Sequence, residues 1–153
     1  MTSATPLQQL REFLADPANR SPHNRFLDIQ LQDLEHGRAK LRVPYSATLA
    51  GNTDSGVLHG GVITTVIDSA CGIATLAALP ERARIATLDL RIDYLKPATP
   101  GEDVVASAHC YKVTRNVCFV RAIAYHENPD DPIANCAASF MVTPLEVASG
   151  GPS

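Results

Sequence analysis

One stretch constrains the fold more than any other: Val57 to Leu79 is apolar almost throughout and carries a single formal charge, Asp68, near its middle. Its length would suit a membrane span, but an ionisable group at the centre and His59, Gly60, Gly61 and Gly72 argue against one. The alternative is a helix from Gly60 to Leu79, stopped by Pro80 and apolar nearly all round. Such a helix is stable in water only if other elements wrap most of it.

The wrapping is encoded on both sides. Upstream, Phe26 to Glu35 and Arg38 to Tyr45 read as a hairpin around His36-Gly37, with Ala39, Leu41, Val43 and Tyr45 alternating with polar residues. The Ser-, Thr-, Asn- and Gly-rich segment Ser46 to Gly56 is a loop leading to the helix. Downstream, Ile85 to Leu95, Glu102 to Val113, Asn116 to Glu127 and Pro132 to Thr143 are four runs of period two. In the first, Ala86, Leu88, Leu90, Ile92 and Tyr94 are expected on one face and Thr87, Asp89, Arg91 and Asp93 on the other. Short Pro- and Gly-containing connections imply antiparallel neighbours. The predicted class is α+β: a curved antiparallel sheet of about six strands around one long central helix. A short helix opening at Thr5-Pro6, with Leu7, Leu10, Phe13 and Leu14 as its apolar stripe, precedes it and ends at Asp16-Pro17. The expected division is an N-terminal helix and linker over 1–24, one folded domain over 25–145 and a frayed tail over 146–153.

Charge and cysteine usage narrow the function classes. With 13 Lys plus Arg against 16 Asp plus Glu, the chain has no global attraction for nucleic acid or an anionic membrane. The start, MTSATPLQQLREFL, has no basic region followed by an apolar run, so a cytoplasmic location is expected. Cys71, Cys110, Cys118 and Cys136 form no C-x-x-C pair and are expected as reduced core residues. His23, His36, His109 and His126 show no metal-ligand spacing, so no metal site is expected.

Chemistry concentrates on the central helix. Burying a carboxylate without a partner is costly, so Asp68 needs either nearby hydroxyls, such as Thr64, Thr65 or Ser69, or a task. His59-Gly60-Gly61 opens the same helix, where the first amides lack intrahelical acceptors and glycines admit a ligand oxygen closely. Gly60 and Asp68 lie eight positions apart, about 12 Å along the axis, so one protomer cannot aim both at one atom. A two-fold dimer with antiparallel central helices would bring Gly60 of one chain to Asp68 of the other.

Gly56-Val57-Leu58-His59-Gly60-Gly61 running on to Asp68-Ser69-Ala70, then Ala86 to Ala98 with its Tyr94-Leu95-Lys96-Pro97 strand end, and Pro100-Gly101-Glu102, resemble the hotdog-fold acyl-CoA thioesterases of the phenylacetate-degradation (PaaI-like) group over roughly residues 25 to 143. The resemblance implies that Asp68 is nucleophile or general base and that the Gly60 amide is the oxyanion donor beside His59. It also implies that Thr87 orients water. The family's asparagine six residues before the His falls on Thr53 here, with Asn52 beside it as the candidate. Gly61, Thr65, Arg91, Arg115 and Asn116 are implied for substrate binding, with Lys96, Lys112 and Arg121 as further cations for the CoA phosphates. A homodimer as catalytic unit, paired further into a tetramer, is implied, with acyl-CoA as substrate and no cofactor. Two other readings remain open: a hotdog enoyl-CoA hydratase or dehydratase using His59, and a non-catalytic acyl-CoA binding module.

Overall fold

The computed structural model describes residues 4–145; the tail expected over 146–153 lies outside them. In chain order, α1 (Pro6–Ala15) and the short α2 (Pro22–Phe26) lead into the hairpin β1 (Gln30–Glu35) and β2 (Arg38–Val43). The long helix α3 (Gly60–Ala78) follows, then β3 (Ala83–Tyr94), β4 (Val104–Val113), β5 (Val117–Tyr125) and β6 (Ala134–Pro144). The six strands form one antiparallel sheet in the order β1-β2-β4-β5-β6-β3. The chain therefore leaves β2, crosses the sheet as α3 and returns as the far edge strand, which is the wrapped-helix architecture expected from the sequence.

Binary patterning explains the packing. The inner sheet face supplies Leu34, Leu41, Val43, Val104 and Val120, and α3 supplies Val66, Ile67, Cys71 and Ala74, all essentially inaccessible. All four cysteines are buried and unpaired by disulfides. α3 is long and apolar enough to cross a membrane by length and composition, but half of it is buried inside this fold.

Three expectations need correction. The first strand does not begin at Phe26: residues Pro22–Phe26 are a helical turn capped by Ser21, and Phe26 is exposed. The cap-plus-proline of Ser21-Pro22 repeats that of Thr5-Pro6, where Thr5 and Gln8 close a reciprocal capping box. Secondly, the sheet covers only one side of α3. Thr64, Thr65, Asp68, Ser69, Gly72, Ile73 and Leu76 form a half-buried stripe on the other, so the helix is less completely wrapped than its composition suggests.

The third concerns β3. Its pairing with β6 shifts register between Thr87 and Asp89, a bulge at Leu88. Before the bulge Ile85 and Thr87 lie opposite Val142 and Phe140, and after it Leu90, Ile92 and Tyr94 lie opposite Ala138, Cys136 and Ala134. Those partners are all buried. Strict alternation is thus broken: Ala86 faces outward with Met141, while Thr87 turns inward to join Leu90, Ile92 and Tyr94 on the helix side.

Candidate active site

The helix entry is built by its own loop. Ala50 bridges Leu58, Gly51 N–H donates to Val57 O, and His59 N–H donates to Leu49 O, which fixes the chain direction at the first turn. His59 is the N-cap, and its Nδ1 accepts the Gly61 N–H at 2.8 Å. Val62 N–H donates to His59 O. Among the described residues Gly60 N–H has no acceptor within hydrogen-bond reach. It is an exposed amide at a helix N-terminus, carrying partial positive charge and open to a ligand acceptor. The Gly61 N–H, by contrast, is already engaged by His59, which removes it as a free substrate donor.

Two residues that sequence reasoning did not place in the site anchor this turn. Tyr94, at the end of β3, donates from its hydroxyl to Gly60 O at 2.9 Å and lies 2.6 Å from Thr64 Oγ1, which itself reaches Gly60 O at 3.2 Å. The Gly60 carbonyl is held from two sides. The signal was available in the Tyr-Leu-Lys-Pro strand end, where Tyr94 read only as a member of an apolar face. A cavity of about 430 Å³ opens beside Gly60, bordered by Val57, Ile63, Tyr94, Leu95, Lys96 and Ile133.

Two turns along α3, Asp68 is half-buried on the open stripe. Thr87 donates its hydroxyl to Asp68 Oδ1 at 2.9 Å, and among the described residues this is its one hydrogen bond, with no ion pair. The bulge at Leu88 makes that bond possible, because without it Thr87 could not share a face with Leu90. The hydroxyls nearest in sequence do other work. Thr65 donates to Gly61 O at 2.9 Å and meets His23 Nε2 at 3.2 Å, and Ser69 pairs with Asn24.

The remaining candidates lie apart from this pair. Asn52 Oδ1 accepts from Asp54 and Ser55 N–H, holding the preceding loop in an Asx turn, and among the described residues makes no hydrogen bond to Asp68 or Gly60. Arg91 is exposed on the outer sheet face and pairs with Asp93. Arg115 and Asn116 form the exposed β4–β5 turn, where Asn116 O accepts from Val142 N–H. Lys96 pairs with Asp131, and Arg121 stacks over Tyr111 at 4.4 Å from the ring centre.

Cys71, beside Asp68 on the helix, and Cys110 are held as thiols, whereas the hydrogen bond from Cys71 shifts Cys136 the other way. A thiol–thiol hydrogen bond with Cys136 and burial push the Cys71 thiol far above its ordinary range, and burial pushes Cys110 up to about 12. Thiols held protonated are not nucleophiles. No cluster of His, Cys, Asp or Glu among the described residues has the arrangement of a metal site.

Comparison with known proteins points one way. Residues 55–133 match the family model described as thioesterase superfamily. The medium/long-chain acyl-CoA thioesterase YigI of Escherichia coli is 30% identical over 134 residues, 79% of this chain and 85% of that protein. A Halobacterium salinarum protein provisionally named an esterase is 38% identical over 95 residues, covering 60% of this chain but only 62% of that protein's length. Among solved structures, a Pseudomonas aeruginosa protein is 43% identical with a TM-score of 0.75, covering 89% of this chain and 98% of that one. The E. coli PaaI protein, at 14% identity, shares the fold with a TM-score of 0.78 over 92% of this chain and all of its own. With the match spanning both the glycine turn and the Asp68 helix, the chain belongs to the thioesterase superfamily and has its hotdog fold.

Proposed function

We propose that this protein is an acyl-CoA thioesterase that hydrolyses a CoA thioester to a free carboxylic acid and CoA, working as a homodimer. The observation that carries the reading is Asp68: a carboxylate on an otherwise apolar helix that, among the described residues, is oriented by one hydroxyl and paired with no cation. A structural acid would be paired; a reactive one is positioned and left without a counter-ion. The acyl-CoA thioesterase name of the YigI relative supports the substrate class.

The thioester carbonyl oxygen accepts from the free Gly60 N–H. A preorganised donor of this kind contributes about 3 kcal/mol to barrier lowering in comparable sites. Asp68 drives attack on the carbonyl carbon by one of two routes. As base it takes a proton from water, whose oxygen adds to carbon; as nucleophile its own oxygen adds, giving a mixed anhydride that water then cleaves. In both, the tetrahedral oxyanion collapses, the carbon–sulfur bond breaks and the CoA thiolate departs.

Gly60 and Asp68 of one chain are about 12 Å apart along α3, so the pair that meets one carbon comes from two chains. Strand β3 supports the same conclusion. It is a twelve-residue edge strand with an unpaired side, a template for a second copy. Two-fold pairing through β3 sets the central helices antiparallel and brings the Gly60 turn of one protomer toward Asp68 of the other. The CoA arm then approaches through the cavity beside Gly60. Exposed Tyr111, Phe119 and Met141 on the sheet's outer side offer a surface for pairing dimers into a tetramer.

The test is thiol release from acyl-CoA esters by the wild type and by Asp68→Asn, with the dimer checked by sedimentation. Loss of at least about a thousandfold in kcat with substrate binding retained is expected. Release of thiol by Asp68→Asn at the wild-type rate, or water addition to an enoyl-CoA by the wild type with no thiol freed, would overturn the reading. Label from heavy-oxygen water entering Asp68 in a single turnover selects the nucleophilic route.

A further inference from the structure

The open stripe of α3 does not face empty solvent along its whole length. Beyond Asp68, the residues Ser69, Gly72, Ile73 and Leu76 floor a cleft of about 250 Å³, roofed by Leu14 of α1 and by Ile29 after α2. Leu76 also borders a second cavity of about 460 Å³ reaching to Leu10 and Phe13. The N-terminal arm that makes the roof is latched to the helix by two polar contacts, Asn24 with Ser69 and His23 with Thr65, one on each side of Asp68 in sequence.

Two elements carry the lining of the cleft up to the carboxylate. Gly72 lies one helical turn after Asp68 on the same face. Ile85, which lines the cleft, lies two residues before Thr87 on the same side of β3 as the hydroxyl that orients Asp68. A glycine inside a helix weakens it, so its presence calls for a packing reason. A Cβ at Gly72 would stand 3.4 Å from Ile85 Cδ1 and 3.6 Å from Phe140 Cε1. A methyl would just fit there, so the glycine lets Ile85 and Phe140 pack closely against the helix beside the cleft.

We infer that this cleft receives the apolar chain of the acyl group, and that the N-terminal arm, residues 6 to 29, is the determinant of acyl-chain length. The inference rests on the thioesterase reading and names its substrate class: extended aliphatic acyl groups, whose carbonyl lies at Asp68 and whose chain runs along α3 under Leu14 toward Leu76 and Phe13. From Asp68 to Leu76 the helix advances about 12 Å, so acetyl groups leave the cleft empty while longer chains fill it. Filling an apolar cleft otherwise occupied by water favours the longer chain.

The experiment compares kcat/KM for acetyl-, butyryl-, octanoyl- and dodecanoyl-CoA in the wild type, in Leu14→Trp, which fills the cleft from the arm side, and in Leu14→Ala, which widens it. Melting curves confirm folding. The ratio of dodecanoyl to acetyl activity is expected to fall about tenfold or more in Leu14→Trp and to hold or rise in Leu14→Ala. An unchanged ratio in both variants overturns the inference. A diazirine-bearing dodecanoyl-CoA, photolysed on the wild type and mapped by mass spectrometry, needs no variant. Label on Leu14, Ile73 or Leu76 supports the cleft, and label confined to other segments refutes it. A wild type that frees no thiol from any ester refutes the hydrolytic reading instead, and the label map then decides the cleft alone.

Discussion

Replacing Thr87 with valine separates orientation of the carboxylate from the fold. Thr87 gives Asp68 its one hydrogen bond among the described residues, at 2.9 Å to Oδ1. Valine keeps the β-branched shape that suits strand β3 and exchanges only the hydroxyl for a methyl. A hydrogen bond to a charged group contributes about 1.5–3 kcal/mol, and at about 1.4 kcal/mol per decade its loss from the transition state corresponds to roughly 10- to 150-fold in rate. Thr87 is solvent-exposed and Asp68 only half-buried, so water partly replaces the lost donor and the lower end, about tenfold in kcat, is expected. The bond touches the carboxylate and not the substrate, so KM should move little. Thr87→Ser, which keeps the donor, should recover most of the loss. Steady-state thiol release at saturating acyl-CoA reads all three variants. Full kcat in Thr87→Val, a loss confined to KM, or a serine variant as poor as valine would refute the claim that the bulge at Leu88 delivers this hydroxyl to Asp68 for catalysis.

Two further substitutions probe the surrounding frame. In Gly61→Ala the new Cβ would lie 2.9 Å from His59 Nδ1 and must displace the ring; losing the cap costs about 1 kcal/mol, partly offset by alanine's helix propensity. The melting temperature should therefore shift by no more than about 2–4 °C, while kcat/KM falls at least about tenfold because the turn that presents Gly60 N–H is disturbed; unchanged kcat/KM counts against the His59 cap. Asp103 is held below the usual carboxylate range by the Tyr45 N–H and then by Arg42. A carboxyl depressed in the folded state stabilises it above the unfolded pKa and loses that contribution as pH falls through the folded value. Asp103→Asn should thus melt below the wild type at neutral pH, with the gap closing as pH drops through the carboxylate range; a gap constant from pH 7 to pH 3 would contradict the assignment.

How much of this was legible beforehand follows from what kind of information each feature uses. The wrapped helix and the strands were readable because burial on one face leaves a periodic trace, and Leu41, Val43, Val104 and Val120 stand where alternation puts them. α2 left no such trace: Pro-His-Asn-Arg-Phe has no apolar stripe, and only Ser21-Pro22 announces it. The bulge was hidden more deeply, since Ala86, Leu88, Leu90, Ile92 and Tyr94 alternate without a break in the sequence. Register is decided by pairing with β6, which no local pattern in β3 records. For the same reason the roles of Asp68 and Gly60 could be nominated from residue type and spacing, whereas Tyr94 on the Gly60 carbonyl required knowing where the strand ends meet the helix.

The position of the bulge ties these observations together. β3 carries Thr87 to Asp68 at one point and Tyr94 to Gly60 at another, seven residues further along the strand and eight residues back along the helix. A regular strand could reach the helix with residues of one parity only, and Thr87 and Tyr94 differ in parity. One extra residue between them resolves the conflict, so both polar contacts fall on the inner face of a single strand. That strand is also one of the two edges of the sheet. Whatever pairs with it fixes the position of both the carboxylate and the amide turn, and under the dimer proposal each protomer's β3 aligns its own Asp68 with its neighbour's Gly60. Deleting Leu88 would remove the bulge yet leave Thr87 and Tyr94 at an even separation on the inner face, so thiol release should survive the deletion in a protein that still folds; a deletion variant that melts like the wild type but is as inactive as Asp68→Asn would refute this account of the bulge.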